Sequence, residues 1–286
     1  MDSTTDSALN FILFVLGEAK KELGDKCRYI GRTRALKLIC IIANDIGFNE
    51  IPRGWYKHGL YSFKVDSILR MILRDNLLST TIPPSQIDEE LGGKIIHFVK
   101  YRKDQFVVPR KEFFNWIHLD LPPQPYKLFY KHNDEFYQGR QNLIFPKNVT
   151  FIHSYDILSD IITDLNHTLK HVRRDYLDIY FDYSDILEDL LLVMKRRGYD
   201  SSLLRQNFIE LDGLYEDLIY SCLTPFEESA VGVDRNDEIA TFTGVSNTRI
   251  RDASSKLWGI NENMKLNRLK PTLSEYKEEI LPQTNS

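Results

Sequence analysis

Apolar residues recur three and four positions apart over most of this chain, and that spacing predicts a mainly α-helical protein. The stripe in residues 61–78 is typical, because Val65, Ile68, Leu69 and Ile72 all fall on one side of a helix. Similar stripes predict helices in residues 7–22, 33–48, 154–181, 184–200 and 201–222.

The pattern changes after residues 91–93. Residues 94–101 (KIIHFVKY) are rich in β-forming residues, and FVVP follows after a short polar link. Two apolar runs joined by a polar turn predict a β-hairpin. Three helices followed by a hairpin have the element order of a winged helix. We therefore expect a winged-helix-like domain in residues 31–109, preceded by an N-terminal helix in residues 1–30.

Residues 110–150 are predicted to form an aromatic and proline-rich connector. The run LPPQPYKLFYK favours an extended, polyproline-like chain over a helix. A helical domain is expected in residues 151–270, followed by a flexible tail in residues 271–286. The interleaved aromatic and basic residues of the connector could also stack on single-stranded bases.

A short pattern lies near the end of the helical domain. Ala240 is followed by Gly244 four residues later and by Ile250 six residues after that. Over residues 236–258 this spacing resembles the helix-turn-helix superfamily. The resemblance implies two helices joined by a turn at Gly244, with the second helix, for which Ser246 is a credible N-cap, in contact with DNA.

The second helix of that pattern offers a polar face with basic flanks. With Ile250, Ala253 and Leu257 placed inward, the small polar residues point outward between basic ones, an arrangement that suits base edges and phosphates. The predicted third helix of the N-terminal domain and the tip of its wing add further basic residues. The candidate DNA-contacting residues are Lys64, Arg70, Arg74, Lys100, Arg102, Lys103, Asn247, Thr248, Arg249, Arg251, Asp252, Ser255 and Lys256.

The charge of the chain is divided unevenly. The net charge is −4, but residues 151–286 hold 15 Lys and Arg against 24 Asp and Glu, a net −9. Within that acidic half, residues 246–270 carry six basic against two acidic residues. A nonspecific polyanion binder is therefore not expected, and any DNA site must be a local patch.

Other classes of function have weaker support in the sequence. The three cysteines are widely spaced, so neither a disulfide framework nor a zinc ribbon is indicated. P-loop, dinucleotide and nucleophile-elbow motifs are missing. His167 and His171 are four residues apart and could hold a metal, although they fall on the outer face of their helix. No apolar run is long enough to span a bilayer.

The sequence thus predicts a cytoplasmic, sequence-specific DNA-binding protein, a transcriptional or plasmid- or phage-type regulator, without a catalytic step or a cofactor. Its expected partner is double-stranded DNA, and a homodimer is plausible because helix-turn-helix proteins read paired half-sites. The first alternative is a protein-interaction or adaptor module that acts through its acidic helical half. The net −9 of residues 151–286 favours this alternative. Residues 55–62 (WYKHGLYS) also loosely resemble a turn of a domain found in some antitoxins, with Leu60 in place of the proline. A metal-dependent enzyme is the lesser alternative.

Overall fold

The computed structural model of the protein describes residues 3–74, 87–144, 151–168, 177–197, 202–222 and 226–280. The chain divides into two compact units. Unit 1 comprises residues 1–123 and 225–242, and unit 2 comprises residues 124–224 and 243–286. Each unit therefore contains two stretches of chain that are distant in sequence.

Unit 1 is built from helices around one small hairpin. Its core is formed by the apolar faces of the first three helices, and residues such as Phe11, Ile39 and Ile72 are fully buried. Its elements are α1 (Ser3–Leu23), a 3₁₀ turn (Gly24–Tyr29), α2 (Arg32–Asp45), β1 (Gly54–Tyr56), β2 (Gly59–Tyr61), α3 (Phe63–Arg74), α4 (Glu89–Arg102), a second 3₁₀ turn (Lys103–Phe106), α5 (Arg110–Asn115), a π turn (Trp116–Asp120) and α10 (Phe226–Ser229).

Unit 2 is helical throughout the part that the structure describes. Its elements are α6 (Gln124–Ile144), α7 (Phe151–Thr168), α8 (Leu177–Arg197), α9 (Ser202–Cys222) and α12 (Leu273–Ile280). The long helix α11 (Arg235–Leu266) begins in unit 1 and ends in unit 2. The prediction of a mainly α-helical protein is confirmed.

The core of unit 2 contains a buried ion pair. The guanidinium of Arg140 is 2% exposed and lies 2.5 Å from a carboxylate oxygen of Asp212. The same guanidinium lies over the ring of Tyr215, whose hydroxyl donates a hydrogen bond to Asn133 at 2.7 Å. A buried charge is tolerated only when it is paired, so these residues fix how α6 and α9 pack.

The hairpin of unit 1 precedes α3 instead of following it. Strands β1 and β2 pair antiparallel, with Tyr56 opposite Gly59. Gly59 has φ of 89°, and a β-carbon there would clash with Ile117, so glycine is required at this turn. The ammonium of Lys37 in α2 donates to the carbonyl oxygens of Gly59 and Leu60. Burial lowers the pKa of Lys37 to about 7.

The predicted wing is wrong, because residues 94–102 belong to helix α4. Asp88 caps this helix by accepting a hydrogen bond from the backbone N–H of Leu91 at 3.2 Å. Acidic residues lie in its first turn and basic residues in its last, as the helix dipole favours. Ile95 and Val99 are fully buried at helical spacing, so packing overrides their β-propensity. The winged-helix-like arrangement is therefore not confirmed.

The predicted extended connector is also wrong, because residues 110–144 form α5, the π turn and α6. The prolines lie before α6 or, in the case of Pro125, in its first turn, where a missing N–H costs nothing. Phe129, Tyr130 and Phe136 are buried at helical spacing. These aromatic side chains serve the core of unit 2.

The later stretch of unit 1 is tied to α3 by a carboxylate. Glu238 is buried and accepts hydrogen bonds from the backbone N–H groups of Phe63 and Lys64, at 2.7 and 2.6 Å, and from the hydroxyl of Ser62. These N–H groups belong to the first turn of α3 and have no partner within the helix. Burial raises the pKa of Glu238, and these hydrogen bonds oppose that rise.

We expect Glu238→Ala to lower the free energy of unfolding by about 2 to 3 kcal/mol, because it removes the cap of α3 and leaves partly buried N–H groups without an acceptor. Urea denaturation followed by circular dichroism measures this change. Asp237→Ala, which removes an exposed carboxylate from the same turn of α11, is the control. An equal, small effect of both substitutions would contradict the capping role.

Candidate functional site

Residues 236–258 do not contain the turn that the predicted helix-turn-helix requires. Residues 236–258 lie within α11, which continues without interruption from Arg235 to Leu266. Gly244 is not in the left-handed region that a turn would require. Ser246, the predicted N-cap, is 1% exposed inside the helix. The prediction of two helices at this position is wrong.

The reason is a single apolar stripe that keeps the same helical spacing on both sides of Gly244. Its spacing of three or four residues continues from unit 1 into unit 2, and the helix contains no proline. A glycine inside a helix costs only about 1 kcal/mol, which such burial offsets. The buried members of the stripe are Phe242, Ser246, Ile250, Ala253, Leu257, Ile260 and Met264.

The predicted DNA-contacting residues of α11 lie mainly on its outer face. Asn247, Thr248, Arg251, Asp252, Ser255 and Lys256 are exposed. Arg249 instead pairs with Asp217 of α9 at 3.1 Å. Arg251 lies 3.7 Å from the carboxylate of Asp252, which reduces the positive charge of this face. Ile250, Ala253 and Leu257 are buried, as the sequence predicted.

The candidate residues of α3 are engaged within unit 1. The ammonium of Lys64 lies 3.4 Å from the carboxylate of Asp234 and 3.3 Å from the carbonyl oxygen of Glu50. Arg70 donates two hydrogen bonds to Asp66, one turn earlier. Arg74 is exposed at the end of the helix. These residues lie on a helix, as expected, but Lys64 and Arg70 already have acidic partners.

The basic residues predicted at the wing tip lie at the end of α4 and in the following 3₁₀ turn. Lys100 is 3.8 Å from Glu22, and Arg102 is 3.9 Å from Asp45. The guanidinium of Arg102 also lies over the ring of Trp116 at 5.3 Å. Lys103 is exposed. These residues do not form the tip of a hairpin.

The proposed metal pair cannot be assembled from the described residues. His167 is exposed on α7, and His171 lies outside the described residues. Across the described ranges, no group of three or more His, Cys, Asp or Glu side chains could hold a metal ion. In the same ranges, no helix is long and apolar enough to cross a membrane.

A cleft with a distinctive chemistry lies in unit 2. It has a volume of about 720 Å³ and is lined by α7, α8, α11 and the segment that carries α12. We call it the acidic cleft, because one wall consists of four carboxylates of α8: Asp182, Asp185, Glu188 and Asp189. The lining also includes Trp258 of α11.

Asp182, Asp185 and Asp189 share one face of α8 because they are three, four and seven residues apart, and Glu188 lies beside them, three residues after Asp185. Asp185 and Glu188 repel each other and their neighbours. Burial raises the pKa of Asp185, and the carboxylates of Asp189 and Asp182 raise it further. Burial likewise raises the pKa of Glu188, with added repulsion from Asp185 and Asp189. The free cleft therefore favours any cation that can enter it.

Among the described residues, Asp182, Asp185 and Glu188 form no salt bridge, although Lys270 is near enough to oppose the rise that burial causes in the pKa of Asp185. Asp189 is engaged directly, by the ammonium of Lys270 at 2.6 Å and by the hydroxyl of Tyr276. Asp189 is also the least exposed of the four carboxylates, with 13% of its side chain accessible to solvent. The cleft thus combines one satisfied carboxylate with three that are open to a ligand.

Aromatic side chains complete the cleft. Trp258 is 70% exposed, which is unusual for the largest apolar side chain on a folded surface. Tyr155 is buried at the base, and Tyr276 is 41% exposed at the rim. Aromatic faces attract cations, and carboxylates neutralise them, so the two kinds of side chain together suit lysine or arginine side chains.

Sequence reasoning missed this site, although a signal was present. Asp178, Asp182, Asp185 and Asp189 repeat at helical spacing within one segment, which indicates an acidic face on one helix. The position of Trp258 at the same cleft follows only from the packing of α11 in unit 2. Comparison with family models, with curated proteins and with solved structures gives no match.

We expect the double substitution Asp185→Asn/Glu188→Gln to stabilise the protein at pH 7 by roughly 0.5 kcal/mol, because like charges one turn apart repel. Folding raises both pKa values, so their unfavourable contribution disappears as the pH falls through these values. The difference between variant and wild type should therefore shrink with falling pH and vanish at about pH 3, below the ordinary pKa values of both groups. Urea denaturation at both pH values measures it.

The control for this comparison is Asp160→Asn/Glu210→Gln, which removes two exposed carboxylates from α7 and α9 outside the cleft. It accounts for the general effect of a less negative unit. If the control stabilises the protein as much as the cleft variant does, repulsion between the carboxylates of the cleft does not lower the stability of the protein.

Proposed function

We propose that this protein is an interaction module that binds a basic segment of a protein partner in the acidic cleft of unit 2. The observation that carries the proposal is that two unlike kinds of side chain line one cavity. They are the carboxylates of α8 and the exposed indole of Trp258 in α11.

The charge of the cleft selects the class of ligand. Asp182, Asp185 and Glu188 line the cleft and form no salt bridge among the described residues. A cation between them would relieve the repulsion that raises the pKa values of Asp185 and Glu188. The net −9 of residues 151–286 would also steer a basic partner towards this unit.

The exposure of the cleft favours a polypeptide over a small metabolite. Small-molecule sites enclose most of their ligand and are mainly apolar. This cleft is open and mainly polar, and its rim carries an exposed tryptophan. Tryptophan, tyrosine and arginine are enriched among the residues that contribute most to protein interfaces. An arginine- or lysine-rich segment laid across the cleft could use both kinds of side chain at once.

The direct test is calorimetric titration of the full-length protein with a peptide rich in arginine and lysine. Asp185→Asn/Glu188→Gln should weaken binding by about tenfold, or 1.4 kcal/mol, because two charge-assisted contacts are lost. Binding by the wild type should also weaken as the pH falls through the raised pKa values of Asp185 and Glu188, since their protonated forms no longer attract a cation.

Two controls make this result specific. The same peptide with glutamine at every basic position should not bind, and the Asp160→Asn/Glu210→Gln variant should bind the basic peptide as the wild type does. If the cleft variant and this control lose affinity equally, the attraction comes from the general charge of the unit, and the acidic cleft is not the site.

Sequence-specific DNA binding is a second candidate, favoured by the continuous exposed face of α11. Thr248, Arg251, Ser255 and Lys256 are accessible there, and a helix of this length fits a major groove. The single continuous helix would then act without a partner helix of the helix-turn-helix kind. The close approach of Asp252 to Arg251 weakens the face as a phosphate contact.

A salt series of binding to random-sequence duplex DNA tests this candidate. If α11 contacts phosphates, the affinity of the wild type falls steeply with salt, and Arg251→Ala/Lys256→Ala shows a shallower slope by about one unit or less per lost contact. Lys131→Ala/Lys277→Ala removes the same charge from exposed positions of α6 and α12 in unit 2 and serves as the control. Equal slopes for all three proteins would exclude this face as the DNA contact.

A further inference from the structure

The chain reverses its direction directly after α11 and returns to the acidic cleft. Arg268 has φ of 54°, a left-handed conformation that few residues with a side chain adopt. The backbone N–H of Leu269 donates to the carbonyl oxygen of Met264 at 2.8 Å, and the side chain of Leu269 is buried. This turn directs the next residue, Lys270, into the cleft.

Lys270 binds the carboxylate of Asp189, to which a cationic ligand would otherwise bind. Its ammonium lies 2.6 Å from one carboxylate oxygen of Asp189, and the hydroxyl of Tyr276 donates to the other. Both oxygens of Asp189 are therefore engaged by the same returning segment. A basic side chain from another molecule can bind Asp189 only after Lys270 and Tyr276 have left it.

The returning segment is held at one further point, Arg197 at the end of α8. The guanidinium of Arg197 donates to both carboxylate oxygens of Glu275, at 2.9 and 2.8 Å. It also donates to the carbonyl oxygens of Arg268 and Lys270, at 2.7 and 3.2 Å. One side chain therefore fixes both the turn after α11 and the beginning of α12.

Glu275 also helps to cap the N-terminus of helix α12. Its carboxylate accepts hydrogen bonds from the backbone N–H and the hydroxyl of Thr272, and the hydroxyl of Thr272 accepts from the backbone N–H of Glu275. This reciprocal arrangement is a capping box. Arg197 and Thr272 together lower the pKa of Glu275 to about 2. The anchor therefore stays ionised at a pH at which the cleft carboxylates are neutral.

We infer that residues 267–280 form an intramolecular latch, in which Lys270 takes the place of a partner's basic side chain at Asp189 until the partner displaces it. The inference rests on the proposed function. The latch is held mainly by partly exposed ion pairs, which contribute little each and are screened by salt. A partner with several basic residues can compete for Asp189 and gain the remaining carboxylates as well.

Glu275→Ala in the full-length protein is the sharpest test, because the loss of a negative charge and the release of the latch change the affinity for the basic peptide in opposite directions. Removal of a carboxylate makes the protein less negative, which alone would weaken binding of the basic peptide. Removal of the anchor of α12 frees the cleft, and the affinity should rise by about three- to tenfold, since more molecules are competent to bind. Glu262→Ala removes a carboxylate from α11 away from the latch and should not raise the affinity.

Amide hydrogen exchange in residues 267–280 gives an independent readout. Exchange in this segment should accelerate when the basic peptide is added to the wild type. If Glu275→Ala weakens binding as Glu262→Ala does, or if exchange stays unchanged with bound peptide, the latch is refuted while the proposed function stands. If neither the wild type nor Glu275→Ala prefers the basic peptide to its glutamine version, the proposed function fails and the latch fails with it.

Discussion

The carboxylate of Glu238 caps a helix that begins 175 residues earlier, and the arrangement of the chain depends on that contact. By satisfying the N–H groups of Phe63 and Lys64, it holds the start of α11 in unit 1. Phe226 and Phe242 stack nearby, with ring centroids 4.9 Å apart. The segment before and at the beginning of α11 is therefore part of the first unit's core, although most of the helix belongs to the second.

This anchoring explains why α11 is one long helix. Its beginning is fixed by Glu238, and its later half is buried in unit 2 through Ile250, Leu257 and Met264. A turn at Gly244 would shift the phase of the apolar stripe and expose residues that both units bury. The cost of a glycine in the helix is small compared with the burial that such a shift would lose.

The accuracy of the sequence predictions follows the strength of the local pattern. Helices α1, α2 and α3 were predicted because their apolar stripes are long and uninterrupted. Helix α4 was missed because Ile95 and Val99 favour strands in isolation, and only their burial in unit 1 decides for a helix. The acidic face of α8 was readable from spacing, but no local pattern places Trp258 or Lys270 near it, since those contacts arise from packing over long sequence distances.

The acidic face of α8 opposes stability unless a cation compensates it. Four carboxylates within about two helical turns repel one another. Among the described residues, Lys270 forms a salt bridge with Asp189, which is the least exposed of the four. A helix selected for stability alone would alternate its charges, as Lys94 and Glu90 do on α4. The surplus of negative charge that remains at Asp182, Asp185 and Glu188 is the feature that the proposed basic partner would neutralise. That the chain's own compensating residue is a lysine shows which chemical group this cleft accommodates.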